Sequence, residues 1–537
     1  MTACAKHYVG YGLSRGGRDY ARADVGEITL RNRHLAPFRA AVRAGVGTVM
    51  AAFCDVDGIP MHSHRHLLRE VLKDEWGFDG VVVADWNGIG ELVEHGVAGD
   101  LRQAARLAIE AGVDVDMVSG AYSAHLAELV ESGVVAHSLV EDAARRVLRL
   151  KVRLGLLDPG CPSLPGGGQP GGSRSLGLDR PLVRRAAVAS TVILQDNGVL
   201  PLTFAGDEPV LLTGPFASGQ RALLGTWVLD GDPSEVARIA PALAAAIEET
   251  SGAEAAARLV VDEGSFADHT IRLSREAGTT IALVGEHPWR SGEDGSVSEL
   301  GLPPGQLEVL RSIAQLGGRL VVVVFAGRPL ALGEVLELAD AVILAWHPGV
   351  EAGPALADIL LGRAQAAGRL PMSLPRSVGH VPITHAEPPS GRPLPEDARG
   401  RGRYIDAPTG PLLPFGFGAT RVHYGPLRTD TAQLHRPDGV ARLNVTLTNP
   451  TTQPAREPVL LFLRDEVAEV TRPVRELLDL QVVDVPASGA LEVSFEVPVD
   501  ALGYHGRDHT FRVDAGRVVL TAGWPRPDAS SITLDVR

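Results

Sequence analysis

Three observations predict an α/β chain with an all-β end. Gly-bounded apolar strands alternate with amphipathic stretches over the first 157 residues, the same alternation resumes after a Gly/Pro-rich break, and beyond residue 425 only alternating β segments remain. The first block reads as an α/β layer or part of a (β/α)8-type barrel, the second as a doubly wound α/β sandwich domain and the third as an immunoglobulin-like or fibronectin type III-like β-sandwich.

Taken in order, Gly47–Phe53, Gly80–Asp85 and Val113–Val118 are β-rich runs spaced by about 30 residues and read as buried parallel strands. Parallel strands need crossover helices, and the amphipathic segments Ser63–Glu75 and Asp100–Ala111 lie between them. Leu139–Leu156 carries apolar residues at helical spacing and closes the block at residue 157. That makes about four βα units where a closed barrel needs eight, so residues 1–157 read as an α/β layer or an incomplete barrel with open sheet edges. Residues 158–180 are rich in Gly, Pro and Ser and read as a linker. Residues 181–376 open with an expected helix, Leu182–Leu194, and continue with strands at Val210–Leu212, Thr280–Val284, Leu320–Phe325 and Ala341–Trp346. Residues 377–424 are a Pro/Gly-rich connecting segment. Residues 425–537 contain ARLNVTLTN, PVLLFLRD, LEVSFEVPV, TFRVDAG and GRVVLTAG, the alternating strands of the sandwich.

A chain of 537 residues suits about three domains of roughly 100–200 residues each. A hydrophobic content of 45% and a charged content of 22% fit a soluble globular protein, and the net charge of −14 speaks against a nucleic-acid partner. The three cysteines (Cys4, Cys54, Cys161) are too scattered for a disulfide framework or a zinc site. The longest apolar runs are strand-sized, so no membrane partner is expected. The opening MTACAKHYVGYG lacks a signal-peptide pattern, which points to the cytoplasm for the chain as encoded and leaves location open if coding continues upstream. A homodimer is left open.

Side chains at the C-terminal ends of barrel strands face the active-site mouth. Those ends here are Lys6-His7, Phe53-Cys54, Asp85-Trp86 and Asp114–Met117. Asp85 follows three valines and an alanine, with Trp86 beside it as a surface for stacking a sugar ring. Carboxylate, cation, imidazole and aromatic together make a sugar subsite; Asp85 as the cap of a following helix is the competing reading. A second candidate is the long polar loop GEHPWRSGEDGSVSELGLPPGQ at residues 285–306, with Glu286, Glu293, Asp294 and Glu299. Glycoside hydrolysis takes two carboxyl groups, and this loop can supply one; a merely solvated acidic loop fits the residues too.

In order and over nearly its whole length, the chain resembles the family 3 glycoside hydrolases of the bacterial periplasmic β-glucosidase type. The motifs are AKHYVGYG (5–12), GGRDY (16–20), VMAAFCDVDGIP (49–60), LREVLKDEWGFDGVVVADW (68–86), AARRVLRLKVRLGLLD (143–158), VGEHPWRSGEDGSVSELGLPPGQ (284–306), GRPLAL (327–332), the run from Ala345 to Pro382, LLPFGFG (412–418) and TRPVREL (471–477). The resemblance implies that Asp85 is the catalytic nucleophile and Glu293, in the Ser-Gly-Glu position, the general acid/base. Lys6 and His7 would grip sugar hydroxyls with help from Arg18, and Trp86 and Phe53 would complete the substrate-binding set. It implies double displacement on an oligosaccharide or other glycoside, with no metal and no cofactor. Phe53-Cys54 stand where the family commonly has Tyr-Asn, and Val297 where Arg is common. The family's chains continue upstream of the Lys-His motif with the first half of the barrel, so the resemblance implies that residues 1–157 are the C-terminal half of a TIM-like barrel, that the chain is N-terminally truncated and that it has little or no glycosidase activity on its own. A catalytically impaired carbohydrate-binding remnant is the alternative expectation.

Overall fold

The computed structural model describes residues 1–158, 179–204, 206–392 and 406–537; most of the expected linker and the middle of the connecting segment lie outside the described residues. The chain divides into two compact units, one gathering the first block together with Tyr504–Phe511, the other holding the remainder.

In the first unit, three parallel strands lie in chain order: β1 (Cys4–Tyr8), β2 (Thr48–Ala51) and β3 (Val81–Val83). The expected strand at Val113–Val118 is reduced to one parallel bridge, Val83 to Val115. Its ladder is interrupted by Asp114. That buried carboxylate accepts the Val82 N–H (2.8 Å) and the Lys73 ammonium (2.7 Å), while the N–H groups of Asp114 and Val115 both donate to the Val82 carbonyl (2.8 and 3.2 Å). Asp114 is therefore structural. The helices are amphipathic as expected: Leu101–Ala111 starts on the Asp100 side chain, which accepts the Gln103 N–H, and ends at Gly112, whose φ of 105° an L-residue rarely adopts. Helices Ala121–Glu131 and His137–Arg153 follow. Tyr8, Val49, Leu68, Leu72, Val82 and Ala108 form part of one buried core. Tyr504–Phe511 pack with this unit through Asn32, whose amide donates to the His505 carbonyl (3.1 Å) and accepts the His505 N–H (2.7 Å).

The second unit contains a six-stranded sheet: β4 (Val192–Asp196), β5 (Val210–Thr213), β6 (Leu259–Asp262), β7 (Thr279–Gly285), β8 (Arg319–Phe325) and β9 (Ala341–Leu344), in the order β4-β9-β8-β7-β5-β6. All pairings are parallel except β4 against β9. Along β8, Val321, Val323 and Phe325 join the core on one face and Leu320, Val322 and Val324 the core on the other, which is why this stretch reads as an unbroken apolar run. The expected helix Leu182–Leu194 is corrected. It spans Arg180–Ser190, and Val192 and Leu194 instead belong to β4, where a buried slot beside β9 outweighs continuation of the helix. The edge strand β6, only half-buried, escaped the sequence reading.

The sandwich strands are β10 (Val440–Asn449), β11 (Ala455–Asp465), β12 (Glu476–Val485), β13 (Gly489–Pro498), β14 (Gly516–Ala522) and β15 (Ser530–Val536). β10 pairs with β13; β12, β11, β14 and β15 pair successively, all antiparallel. The strand expected in TFRVDAG is only the two-residue ladder Phe511–Arg512. β12 was missed because a register shift between Leu461 and Phe462 of its partner breaks the alternation of apolar residues along it.

Candidate active site

Asp85 sits just past the end of β3, where Val81, Val82 and Ala84 are buried. It is itself only 8% exposed. One oxygen, Oδ1, accepts the Trp86 N–H at 2.7 Å. The other, Oδ2, is buried and lies 3.2 Å from His7 Nε2 outside hydrogen-bonding geometry, so it has no hydrogen-bond partner. Asp85 does not cap a helix: the next one, Glu91–Glu94, starts at Gly90 without a side-chain cap, and the Gly88 N–H goes to the Asp85 backbone carbonyl (3.0 Å). A carboxylate with one oxygen tethered and the other free is suited to nucleophilic attack.

The backbone of Asp85 is held by a residue that the sequence reading passed over. The Asp85 N–H donates to His62 Nε2 at 3.1 Å. His62 is almost fully buried, and burial, with a smaller push from His95, lowers its pKa to about 3. The ring is therefore neutral, and accepting at Nε2 places its proton on Nδ1. Gly88 makes room for the ring, since a Cβ there would stand 2.2 Å from His62 Cε1. Asn87 turns the chain with φ of 57°, its N–H donating to the Met117 carbonyl (2.9 Å). The available signal was three histidines among residues 62–66 directly after the Gly-Ile-Pro turn.

His7 is half-buried, with its ring edge-on to Tyr11 at 5.1 Å. Tyr11, Tyr20 and Phe53 complete an aromatic wall, the Tyr20 and Phe53 rings meeting at 5.3 Å and 86°. Phe53, expected in the substrate-binding set, lies in this wall, and Tyr11 and Tyr20 beside it were not foreseen. Trp86 is 64% exposed beside the carboxylate. Lys6 is exposed on β1 next to His7. Arg18 is exposed, its guanidinium donating to the Arg15 carbonyl at 3.4 Å. Cys54 is buried, and burial with the nearby Asp55 pushes its thiol up to about 12, so it is not a nucleophile. Glu91 is raised by burial, with Asp85 adding to the rise against an opposing contribution from His95.

In the second unit, Glu293 is exposed on the loop that follows β7. Glu286, at the loop's start, is fully buried and paired with Arg290 (3.1 Å) and Arg328 (3.0 Å); Arg328 also donates to the Gly295 carbonyl (2.8 Å). Glu286 is thus a brace that fixes the loop on which the exposed Glu293 stands. Beneath lies His347. Both its ring nitrogens are buried without hydrogen-bond partners, and burial lowers its pKa against the pull of Glu286. Close packing here requires glycine: a Cβ on Gly327 would stand 2.1 Å from Ser291 Oγ and 3.0 Å from His347 Nε2. Among the described residues no group of three or more His, Cys, Asp or Glu is arranged to hold a metal ion, and no helix is long and apolar enough to cross a membrane.

A parallel β/α layer with a buried carboxylate at a strand end, followed by a doubly wound domain and a sandwich, is the arrangement of a multidomain glycoside hydrolase. The glycosyl hydrolase family 3 N-terminal domain matches residues 1–150, the family's C-terminal domain residues 191–420 and a fibronectin type III-like domain residues 457–524. The chain is 31% identical to a periplasmic beta-glucosidase of Salmonella typhimurium, over 97% of this chain and 72% of that one. It is 30% identical to a beta-xylosidase of Formosa agariphila, over 100% and 76% respectively. The fold is similar to that of a beta-glucosidase from Listeria innocua solved in complex with glucose (TM-score 0.90, 29% identity, 100% of this chain and 74% of that one). A β-glucosidase from Erythrobacter marinus is similar as well (TM-score 0.87, 28% identity, 100% and 74%). The chain belongs to glycosyl hydrolase family 3.

Proposed function

We propose that this chain is a retaining β-glycosidase that releases terminal β-D-glycosyl units by double displacement. The observation that carries the reading is the Asp85 carboxylate, tethered through Oδ1 and unbonded at Oδ2, next to the His7 ring and an exposed indole. Oδ2 attacks the anomeric carbon as the bond from that carbon to the leaving oxygen breaks, and Glu293 gives its proton to that oxygen. Glu293 then takes a proton from water, whose oxygen displaces Asp85 from the anomeric carbon. Two inversions give net retention. His7 and Lys6 donate to sugar hydroxyls, Trp86 stacks on the ring, and Arg18 contributes from its exposed turn. Relatives named beta-glucosidase and beta-xylosidase support glucosides and xylosides as the first substrates to try. The net charge of −14 suits a neutral sugar ligand better than a nucleic acid. Following hydrolysis of an aryl β-glucoside or β-xyloside by proton NMR checks the course of reaction: the β-anomer of the free sugar forms first, and first appearance of the α-anomer would rule the double displacement out.

A further inference from the structure

Buried polar atoms in a folded chain are nearly always hydrogen-bonded, and His347 keeps two that are not. Burial disfavours the charged ring, against the pull of Glu286, so the imidazole is neutral, with one N–H to give and one lone pair to fill. The backbone before it is also unusual. Trp346, just past the end of β9, has φ of 54°, a left-handed conformation that a bulky residue rarely adopts, and its side chain packs against the core that holds Val322 and Val324. Two glycines give the imidazole its room: a Cβ on Gly225 would stand 3.0 Å from His347 Cγ, and one on Gly327 3.0 Å from His347 Nε2. That same point at Gly327 is 2.1 Å from Ser291 Oγ, so the ring and a hydroxyl of the loop after β7 face one small gap. Ser291 is loosely engaged where it stands. It donates to the Pro288 carbonyl at 3.3 Å, an acceptor that Thr226 already takes at 2.6 Å, and lies 3.2 Å from the Thr226 oxygen. Ser291 is two residues before Glu293.

We infer that His347 is a positioning residue for the acid/base: its Nε2 accepts the Ser291 hydroxyl when the loop engages a substrate, and this fixes Glu293 two residues further on. The inference rests on Glu293 being the acid/base. In the free protein Ser291 shares the Pro288 carbonyl with Thr226, and the imidazole is unbonded. Rotation of the Ser291 side chain into the gap at Gly327 exchanges a long bond to a shared acceptor for a bond to an unfilled one. No proton changes residue: Ser291 keeps its hydrogen, and with Nε2 accepting, the ring proton sits on Nδ1. Because the bond exists only in the engaged state, its loss is felt in turnover and not in the stability of the free protein.

The test is a double-mutant cycle between His347 and Ser291, read on two substrates and on stability. His347→Phe keeps an aromatic ring and removes both nitrogens; Ser291→Ala removes the hydroxyl. On an alkyl β-glucoside each should lower kcat/KM about tenfold, the effect of one lost hydrogen bond, and the double variant should lose no more than either. On dinitrophenyl β-glucoside, whose leaving group needs little protonation, all three should stay within about twofold of the parent. His347→Gln, whose side-chain oxygen can stand near the place of Nε2, should recover part of the loss. Urea titration should find His347→Phe no less stable than the parent, since two unbonded polar atoms leave the interior. Additive losses, as a pocket filled by water and unconnected with the loop would give, would overturn the inference. So would equal losses on the two substrates, or an unchanged alkyl glucoside rate in His347→Phe. Glu293→Ala on the same pair keeps the two claims apart. If that variant does not discriminate the alkyl from the dinitrophenyl glucoside, the acid/base assignment falls; if it does and the cycle is additive, the assignment stands and the role of His347 falls.

Discussion

At Asp85, the two oxygens of one carboxylate are held differently, and the proposed nucleophilic role is built on that asymmetry. Trp86 N–H holds Oδ1, while Oδ2 is left to face His7 and, on the proposed reading, the anomeric carbon. Asp85→Ala should lower turnover by roughly 10⁴-fold or more, because no covalent intermediate can form. Azide should then restore activity and yield the inverted glycosyl azide; near wild-type turnover in the variant would refute the role. His62 leads to a pH prediction. Its folded pKa of about 3 lies below the value near 6.5 of the unfolded chain, so below pH 6.5 the unfolded state takes up a proton that the folded state refuses. The stability it contributes is whole above pH 6.5 and is lost progressively down to pH 3, about 2 kcal/mol of it by pH 5. Urea titrations between pH 7.5 and 5 should show the fall, and His62→Gln should flatten it. An unchanged slope in the variant would contradict the assignment. Asp85 and its aromatic neighbour were legible in GVVVADW, since strand end, dry run and chemistry coincide within seven letters. His62 was not legible, because its role depends on a contact across 23 residues that only the fold and the missing Cβ of Gly88 create.

The loop after β7 acts as an element only because Glu286 anchors it. Its carboxylate is buried between Arg290 and Arg328, and removing it strands two cations, one of them largely buried. Glu286→Ala should destabilise the second unit by about 3 kcal/mol, the usual cost of breaking a buried pair. Chemical denaturation checks this, and a cost within experimental error would show that the brace is incidental. Glu293→Ala, at an exposed position, should cost much less stability than Glu286→Ala. It should reduce kcat/KM on alkyl glycosides by roughly 10³-fold while sparing dinitrophenyl glycosides, which need little protonation. Equal losses on both classes would move the acid/base role elsewhere. From sequence, the length and acidity of this loop were plain, but the residues alone did not separate its buried carboxylate from its exposed one. Elements whose burial is continuous, such as β7 and β8, were read within a residue or two. Those whose burial is partial or whose alternation slips, β6 and β12, were not, because the periodic signal follows burial.

Across the molecule, the hydrophobic cores do not share residues: one belongs to the barrel-like unit, two to the opposite faces of the six-stranded sheet and one to the sandwich. Calorimetry should accordingly resolve more than one unfolding transition, and a single transition with equal calorimetric and van't Hoff enthalpies would contradict that independence. The order of fold types along the chain was legible because each has its own periodicity. The grouping of Tyr504–Phe511 with the first unit was not, since the Asn32–His505 bonds join residues 473 apart and leave no local pattern. Double displacement requires a covalent bond between the sugar and one residue, here Asp85. The direct measurement is to incubate the protein with 2-deoxy-2-fluoro-β-D-glucosyl fluoride, whose fluorine slows breakdown of the glycosyl-enzyme, and to map the labelled peptide by mass spectrometry. One 2-deoxy-2-fluoroglucosyl group should be esterified to Asp85, with activity lost in step with labelling; a label on another residue, or undiminished turnover without any label, would contradict it.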